Sequence, residues 1–116
     1  MDADQGPEYF LLPSRNIGCI FGDGNVRCDI SGKTFTPPPQ PADCELDWGN
    51  GIEVGDGEAS FVCAGDTALG GPDVLEYGLS AQRGSLRCDS AETGITCTNL
   101  ETMHGFELNR DGFRLF

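Results

Sequence analysis

The chain has 116 residues, of which 38% are hydrophobic, and its 17 glycines and 7 prolines favour one small domain with a thin core and many turns. Its 19 acidic and 7 basic residues give a formal charge of −12, which disfavours nucleic acid and anionic lipid as partners. The sequence has no run of about 18 apolar residues, so membrane insertion is not expected.

The sequence predicts a short N-terminal tail followed by one β domain. Residues 1–8 are acidic and are expected to form a disordered tail, and residues 9–116 are expected to form a single disulfide-linked β domain. A short apolar strand, YFLL, covers residues 9–12, and PSRN at 13–16 turns the chain. A hairpin follows and ends near Ile30.

This first hairpin contains two of the six cysteines. If Asp23 and Gly24 form the two-residue loop of a type I′ turn, counting outward along the strands brings Cys19 opposite Cys28. Pair types alternate along an antiparallel ladder, so these cysteines fall in a non-hydrogen-bonded pair, where side chains approach most closely. That closeness suits the Cβ separation of about 3.8 Å in a disulfide. The hairpin therefore predicts a Cys19–Cys28 bridge.

The same spacing recurs near the C-terminus. Cys88 and Cys97 bracket a slightly longer turn in which Gly94 is available for a positive φ. Two cross-strand bridges leave Cys44–Cys63 by elimination, and each disulfide should contribute roughly 2–4 kcal/mol. Zinc sites space cysteines about two to four residues apart, which is not seen here, and the chain has no C-x-x-C motif. We therefore expect structural disulfides and no metal or cofactor.

Residues 34–43, TFTPPPQPAD, form a proline-rich segment. Proline has no backbone donor, so the segment is predicted to run over the surface as polyproline II rather than as a helix or central strand. It is either a stiff connector or a docking segment or inhibitory loop. On the second interpretation, the candidate binding residues are Pro37, Pro38 and Pro39.

The rest of the chain reads as short strands. ELDW (45–48), IEV (52–54) and EASFVC (58–63) are separated by GNG and GDG turns, and residues 64–73 form a loop. VLEYGLS and SLRCDS lead into ITCTN, and the segment GFELNRDGFRLF predicts a final hairpin. About eight short strands without a helical period indicate an all-β fold, a small antiparallel sandwich or barrel. The expected core includes Phe21, Trp48, Phe61 and Phe106, with Leu108, Phe113 and Leu115 also facing inward.

Few residues are candidates for chemistry. His104 is the only histidine and a weak candidate catalytic base, because no G-x-S-x-G motif or free cysteine supplies a nucleophile. The turns at residues 23–25 and 56–58 contain acidic residues but lack the remaining ligands of a calcium loop. Asp-Gly is also a preferred hairpin turn, so no metal site is predicted.

The pieces PSRNIGC, VRCDI, PPPQPADCELDWGNG, SFVCAGDT, LRCDSAETGITCTN and MHGFELNRDGFRLF resemble a family of small secreted actinobacterial proteins with a six-cysteine domain of unknown function. The resemblance covers nearly the whole chain from residue 9. It implies export with removal of a signal peptide and a β-rich domain whose cysteines are all in disulfides, and it implies no activity. The family pattern often has glycine at the positions of Arg15 and Met103.

These observations favour a non-enzymatic binding domain, an inhibitor or a cell-envelope accessory protein, in the extracellular space or cell envelope. Its expected partner is a protein with a basic surface. One alternative is a small extracellular hydrolase that uses His104 with nearby carboxylates, and another is a structural module with no specific ligand. A convergent pocket around His104 would favour the hydrolase, whereas an exposed apolar patch rimmed by acids would favour binding.

Overall fold

The computed structural model describes residues 4–116 as two β-sheets. Residues 4–116 include no helix that is long and apolar enough to cross a membrane. One sheet has the strand order β5-β4-β3-β2-β1-β6 and the other β11-β10-β9-β8-β7. In chain order the strands are β1 (Tyr9–Leu11), β2 (Ile17–Phe21), β3 (Val26–Ile30), β4 (Trp48–Val54), β5 (Ser60–Cys63), β6 (Asp73–Val74), β7 (Ser80–Arg83), β8 (Leu86–Ala91), β9 (Gly94–Asn99), β10 (Gly105–Asn109) and β11 (Gly112–Leu115).

The all-β prediction is confirmed, with two differences. Residues 4–116 form eleven strands rather than about eight, because several are only two to four residues long. The six-stranded sheet is also not wholly antiparallel, since β6 runs parallel to β1 with Phe10 opposite Asp73. The amide of Leu75 extends this pairing by donating to the carbonyl of Leu11 at 2.9 Å.

The first hairpin has the predicted register with a different turn. Cys19 lies opposite Cys28 in β2 and β3, and their Cα atoms are 4.1 Å apart in the disulfide. A type I′ turn needs positive φ at both central residues, but only Gly24 has it, at +83°. The type I′ prediction is therefore wrong. The register survives because the alternation of inward and outward residues also specifies it.

The second hairpin pairs Cys88 with Cys97, which form a disulfide with a Cα separation of 4.0 Å. Ala91 lies directly opposite Gly94, so the turn has two residues rather than the longer loop expected. Gly94 has a φ of +127°, and a Cβ there would collide with the carbonyl of Leu108 in the adjacent β10. Glycine is thus required for both backbone conformation and strand contact.

The GNG segment is part of one strand and not a turn between two. β4 runs through it, and its pairing with β5 shifts register between Trp48 and Ile52, as at a β-bulge. Gly49 takes a φ of +81°, and a Cβ there would lie 2.5 Å from Cγ of Pro37. The bulge therefore lets the proline-rich segment lie directly on the strand.

The two sheets enclose one core, and two disulfides meet at its centre. Sγ of Cys28 in one sheet lies 3.6 Å from Sγ of Cys97 in the other. All four cysteines of the two hairpins are 0% exposed. The largest fully buried side chains around them include Phe10, Phe106, Leu12, Ile52, Ile95 and Leu108. The hairpin cysteines therefore serve as core residues as well as cross-links.

The predicted core residues are partly confirmed. Phe21, Phe61, Phe106 and Leu108 are buried, and Trp48 and Phe113 are half-buried at the side of the core. The expectation that Leu115 faces inward is wrong, since it is 40% exposed. It lies on β11, which is an edge strand and has a neighbour on one side only.

The N-terminal segment also differs from the expected disordered tail where it is described. Gln5 and Gln82 exchange backbone hydrogen bonds of 3.0 and 2.8 Å, and the carbonyl of Glu8 accepts from the amide of Phe21. Residues 4–8 therefore lie along β7 and the end of β2. Residues 1–3 of the predicted tail lie outside the described residues.

Candidate functional site

The proline-rich segment continues into the acidic stretch before β4, and together residues 36–47 are called here the proline loop. Two contacts hold it on the fold, and a third is internal to it. Nε1 of Trp48 donates to the carbonyl of Pro38 at 2.7 Å, and Cys44 forms a disulfide with Cys63 on β5. The side-chain amide of Gln40 donates to the carbonyls of Cys44 at 2.9 Å and Leu46 at 3.2 Å. The loop is therefore fixed without belonging to either sheet.

The proline loop carries most of its side chains in solvent. Pro38 and Pro39 are exposed, whereas Pro37 is half-buried against Gly49. Leu46 is 56% exposed, which is close to the 54% of Leu79 elsewhere in the chain. Its neighbours along the chain include three exposed acids, Asp43, Glu45 and Asp47.

These three carboxylates have no ion-pair partner among residues 4–116. The loop thus presents an exposed leucine and three exposed prolines, Pro38, Pro39 and Pro41, together with unpaired negative charge.

A second cluster, which the sequence analysis did not predict, joins the outer face of β3 to the loop at residues 64–71. Arg27 donates from Nε and Nη2 to the two oxygens of Asp29, at 2.9 and 2.7 Å. Asp29 is only 1% exposed and also accepts from the amide of Ala68 at 3.1 Å. Arg27 further donates from Nη1 to Asp66 at 2.8 Å.

The bonds in this cluster shift the pKa values of Arg27 and Asp66 so that the charged form of each side chain is favoured. The hydrogen bond to Asp29 raises the pKa of Arg27, and the hydrogen bond from Arg27 lowers the pKa of Asp66. No buried side-chain nitrogen or oxygen in the described part of the chain lacks a partner. We interpret the cluster as a clamp that holds the loop on the sheet.

A signal for this clamp was present in the sequence as a repeated Arg-Cys-Asp. In both hairpins the cysteine points into the core, so the flanking arginine and aspartate share the opposite face of the strand. Arg87 donates from Nε to Asp89 at 3.0 Å in the second hairpin, as Arg27 does to Asp29 in the first. Only the first pair is covered by a loop.

His104 is not placed in a catalytic arrangement. Its imidazole has no hydrogen-bond or ion-pair partner within residues 4–116, so no described carboxylate orients it. Its contacts are through the backbone, where its carbonyl accepts from the amide of Asn99 at 2.8 Å. The described residues form clefts of about 530 Å³ and about 320 Å³, and His104 lines neither of them.

Two residues without glycine's freedom take left-handed backbone angles. Arg15 and Met103 both have a φ of +64°, and in the described chain they are the only non-glycine residues with positive φ. These are the two positions where the resemblance noted above implies glycine. Met103 is 62% exposed, so no buried contact offsets the strain at its position.

The acidic turns do not converge on a metal site. In residues 4–116 the one group of three potential ligand atoms within 4.8 Å of one another belongs to Cys19, Cys28 and Cys97, whose sulfurs are oxidised in disulfides. In the β2–β3 turn, Nδ2 of Asn25 donates to Glu53 at 3.0 Å. That contact ties the turn to the adjacent β4.

Comparison with known proteins identifies a family without an assigned activity. Residues 2–116 match a family of unknown function, DUF6636. No curated protein and no solved structure matches the chain.

Proposed function

We propose that this chain, which belongs to the family of unknown function DUF6636, is a secreted non-enzymatic binding domain whose contact surface is the proline loop. The observation that carries the proposal is that this loop is exposed yet held on the fold by Trp48 and by the Cys44–Cys63 disulfide. The side chain of Gln40 adds hydrogen bonds within the loop itself. A role as an inhibitor or as a cell-envelope accessory protein is consistent with such a loop.

Rigidity of the loop supports binding on thermodynamic grounds. Ordering a flexible segment on association costs conformational entropy, and a loop already fixed in one conformation avoids most of that cost. The prolines add to this effect because their φ is restricted before binding.

The charge of the chain supports a basic protein as the partner. A formal charge of −12 produces a field that attracts cationic surfaces and repels nucleic acid. Asp43, Glu45 and Asp47 place unpaired negative charge in the loop itself. The partner is therefore expected to present Lys or Arg side chains around an apolar depression that accepts Leu46.

Secretion is part of the proposal and is supported by the cysteines. All six are in disulfides, which persist in oxidising compartments such as the extracellular space and the cell envelope. The hydrolase alternative has no comparable support, because neither cleft includes His104 and no described carboxylate bonds to it.

The proposal is tested with two matched leucine variants. Leu46 in the loop is 56% exposed and Leu79 outside it is 54% exposed, so Leu46→Ser and Leu79→Ser remove similar apolar surface. Each disulfide-intact protein is used as bait for secreted and envelope proteins of the source organism. The proposal predicts a basic protein retained by the wild type and by Leu79→Ser and lost with Leu46→Ser. Equal retention by both variants would contradict it.

A further inference from the structure

A second candidate site lies away from the proline loop, in an open cleft between the two sheets. Its volume is about 530 Å³, within the range of small-molecule sites. The turn after β1, the segment after β3, the β8–β9 turn and the β10–β11 turn all reach it. The lining residues that bear on a ligand are Leu12, Ile17, Lys33, Tyr77, Glu92 and Arg110.

The walls of this open cleft are fixed by hydrogen bonds across the chain. The side chain of Asn16 both donates to the carbonyl of Gly32 at 2.9 Å and accepts from its amide at 2.6 Å. The amide of Thr34 donates to the carbonyl of Arg110 at 2.8 Å, which joins the segment after β3 to the other sheet. The cleft is therefore formed before any ligand arrives.

The distribution of basic residues points to an anion in this cleft. Of the seven basic residues, Arg27, Arg87 and Arg114 form ion pairs, and Arg83 donates to backbone carbonyls and lies over the ring of Phe21. The other three, Arg15, Lys33 and Arg110, have no carboxylate within ion-pair distance in the part of the chain that the structure describes.

Two of these three unpaired basic residues line the open cleft, and the third is next to it in the chain. Lys33 and Arg110 line it, and Arg15 lies in the chain between two lining residues, Ser14 and Asn16. Lys33 has only a long hydrogen bond of 3.4 Å to Asn50, which is outside the lining of this cleft. In a chain with 19 acids, a cleft lined by two unpaired cations and one acid, Glu92, is a place of locally positive charge.

The other lining residues limit the kind of anion. Leu12 and Ile17 are buried and give the cleft an apolar floor, and Tyr77 adds an aromatic side chain that is 38% exposed. Glu92 is also in the lining and disfavours a second negative charge on the ligand. A monoanion with an apolar body fits this set better than a phosphate dianion.

We infer that the open cleft binds a small organic carboxylate, with its carboxylate on Lys33 and Arg110 and its apolar part against Leu12, Ile17 and Tyr77. The site is separate from the proline loop and goes beyond the proposed function. Charge-assisted hydrogen bonds to two cations supply the attraction, and the apolar floor supplies the burial.

The inference is tested by NMR titration of the disulfide-intact protein with benzoate as the probe. Benzamide is the uncharged control and phenyl phosphate is the dianionic comparison. Saturable shifts with benzoate are expected at the amides of Gly32, Ala91 and Gly94, with little response to benzamide and weaker binding of phenyl phosphate. Equal responses to benzoate and benzamide, or no saturation with benzoate, would overturn the inference, as would tighter binding of phenyl phosphate.

Two variants separate this site from general charge effects. Lys33→Gln with Arg110→Gln removes both cations of the cleft and should weaken benzoate binding about a hundredfold, because each of the two charge-assisted bonds contributes roughly a factor of ten. Arg114→Gln removes an exposed cation outside the cleft lining and should leave binding unchanged. Spectra that superimpose away from the cleft establish that both variants are folded. Equal weakening in the two variants would contradict the site.

Discussion

Removal of the Cys44–Cys63 disulfide by Cys44→Ser with Cys63→Ser should loosen the proline loop and leave both sheets folded. The cysteines are 19 residues apart in sequence, so the chain-entropy relation gives a loss of about 3 kcal/mol in the free energy of unfolding. Cys63 is exposed and Cys44 half-buried, so the substitutions leave no cavity in the core. A loss of about 3 kcal/mol is less than the typical total stability of about 5–15 kcal/mol, so the variant should still fold.

Guanidinium unfolding measures this loss, and hydrogen exchange locates it. Increased exchange is expected in the proline loop and no change in β2, β3, β8 and β9. The matched control is Cys19→Ala with Cys28→Ala, which opens a shorter loop of 9 residues but removes two sulfurs that are 0% exposed. The control should lose more stability in total, because the cavity left by the two buried sulfurs adds to the gain in chain entropy of the unfolded state.

Limited reduction gives an independent check on the same reasoning. A low concentration of dithiol under native conditions, followed by alkylation and peptide mapping, should label Cys44 and Cys63 first, since the sulfurs of the other two disulfides are buried. Earlier labelling of Cys19 or Cys28 would refute the reasoning. A loss well above 3 kcal/mol in the Cys44–Cys63 variant, with unchanged exchange in the loop, would refute it as well.

The contacts and the charge of the chain lead to four further expectations. Arg27→Leu should lower the free energy of unfolding by about 3–5 kcal/mol in guanidinium melts, because it leaves the carboxylate of Asp29 buried without its ion pair, and adding Asp29→Asn should recover part of the loss. Met103→Gly should raise the free energy of unfolding by roughly 0.5–1 kcal/mol because it removes left-handed strain, whereas Leu100→Gly in the same loop should not stabilise the protein. The pKa of Asp66 is lower in the folded chain than its unfolded value of about 3.9, so the stability that this carboxylate contributes is present above that pH and is lost as the pH falls through the folded pKa. A carboxyl NMR titration should record the low pKa of Asp66 and its return to the ordinary value in Arg27→Leu. Millimolar calcium should raise the melting temperature slightly and without saturation, through screening of the −12 charge, and saturable binding at micromolar calcium in about 0.15 M salt would contradict this prediction.

The hairpins were the most predictable part of the structure because their constraints are local. Counting outward from Asp23-Gly24 is enough to bring Cys19 opposite Cys28, and the alternation of the strands would exclude a slip by one residue. The turn conformation itself was not predictable in this way, since several backbone geometries close a two-residue loop. The Cys44–Cys63 pairing could be predicted only by elimination.

The features that were missed depend on contacts distant in sequence. GNG reads as a turn, but it belongs to a bulged strand, and no local pattern shows that Pro37 packs against Gly49 there. The Arg27–Asp29 pair is visible as a repeated Arg-Cys-Asp, but the burial of Asp29 follows from the loop at residues 64–71 covering it. Leu115 alternates like a core residue and is exposed because β11 is an edge strand.

The candidate site was predictable only where it depends on local chemistry. The prolines at 37–39 indicated an extended surface segment from the chemistry of the residue alone. That Trp48 anchors this segment and that Leu46 remains exposed beside it depends on the bulge in β4 and on the disulfide to β5. The unpaired Lys33 and Arg110 come together only through the packing of the two sheets.

The central claim is that the proline loop is a preformed surface that binds a basic protein, and binding kinetics of the captured partner at two salt concentrations test it most directly. The wild type and a variant with Pro37→Gly, Pro38→Ser and Pro39→Gly are compared, with Leu79→Ser as the control. The wild-type association rate should fall as salt rises, because charges beyond about 8 Å are screened at physiological ionic strength, while the dissociation rate stays nearly constant. The loop variant should bind more weakly, and Leu79→Ser should bind like the wild type. An association rate indifferent to salt, together with unchanged affinity in the loop variant, would contradict the account.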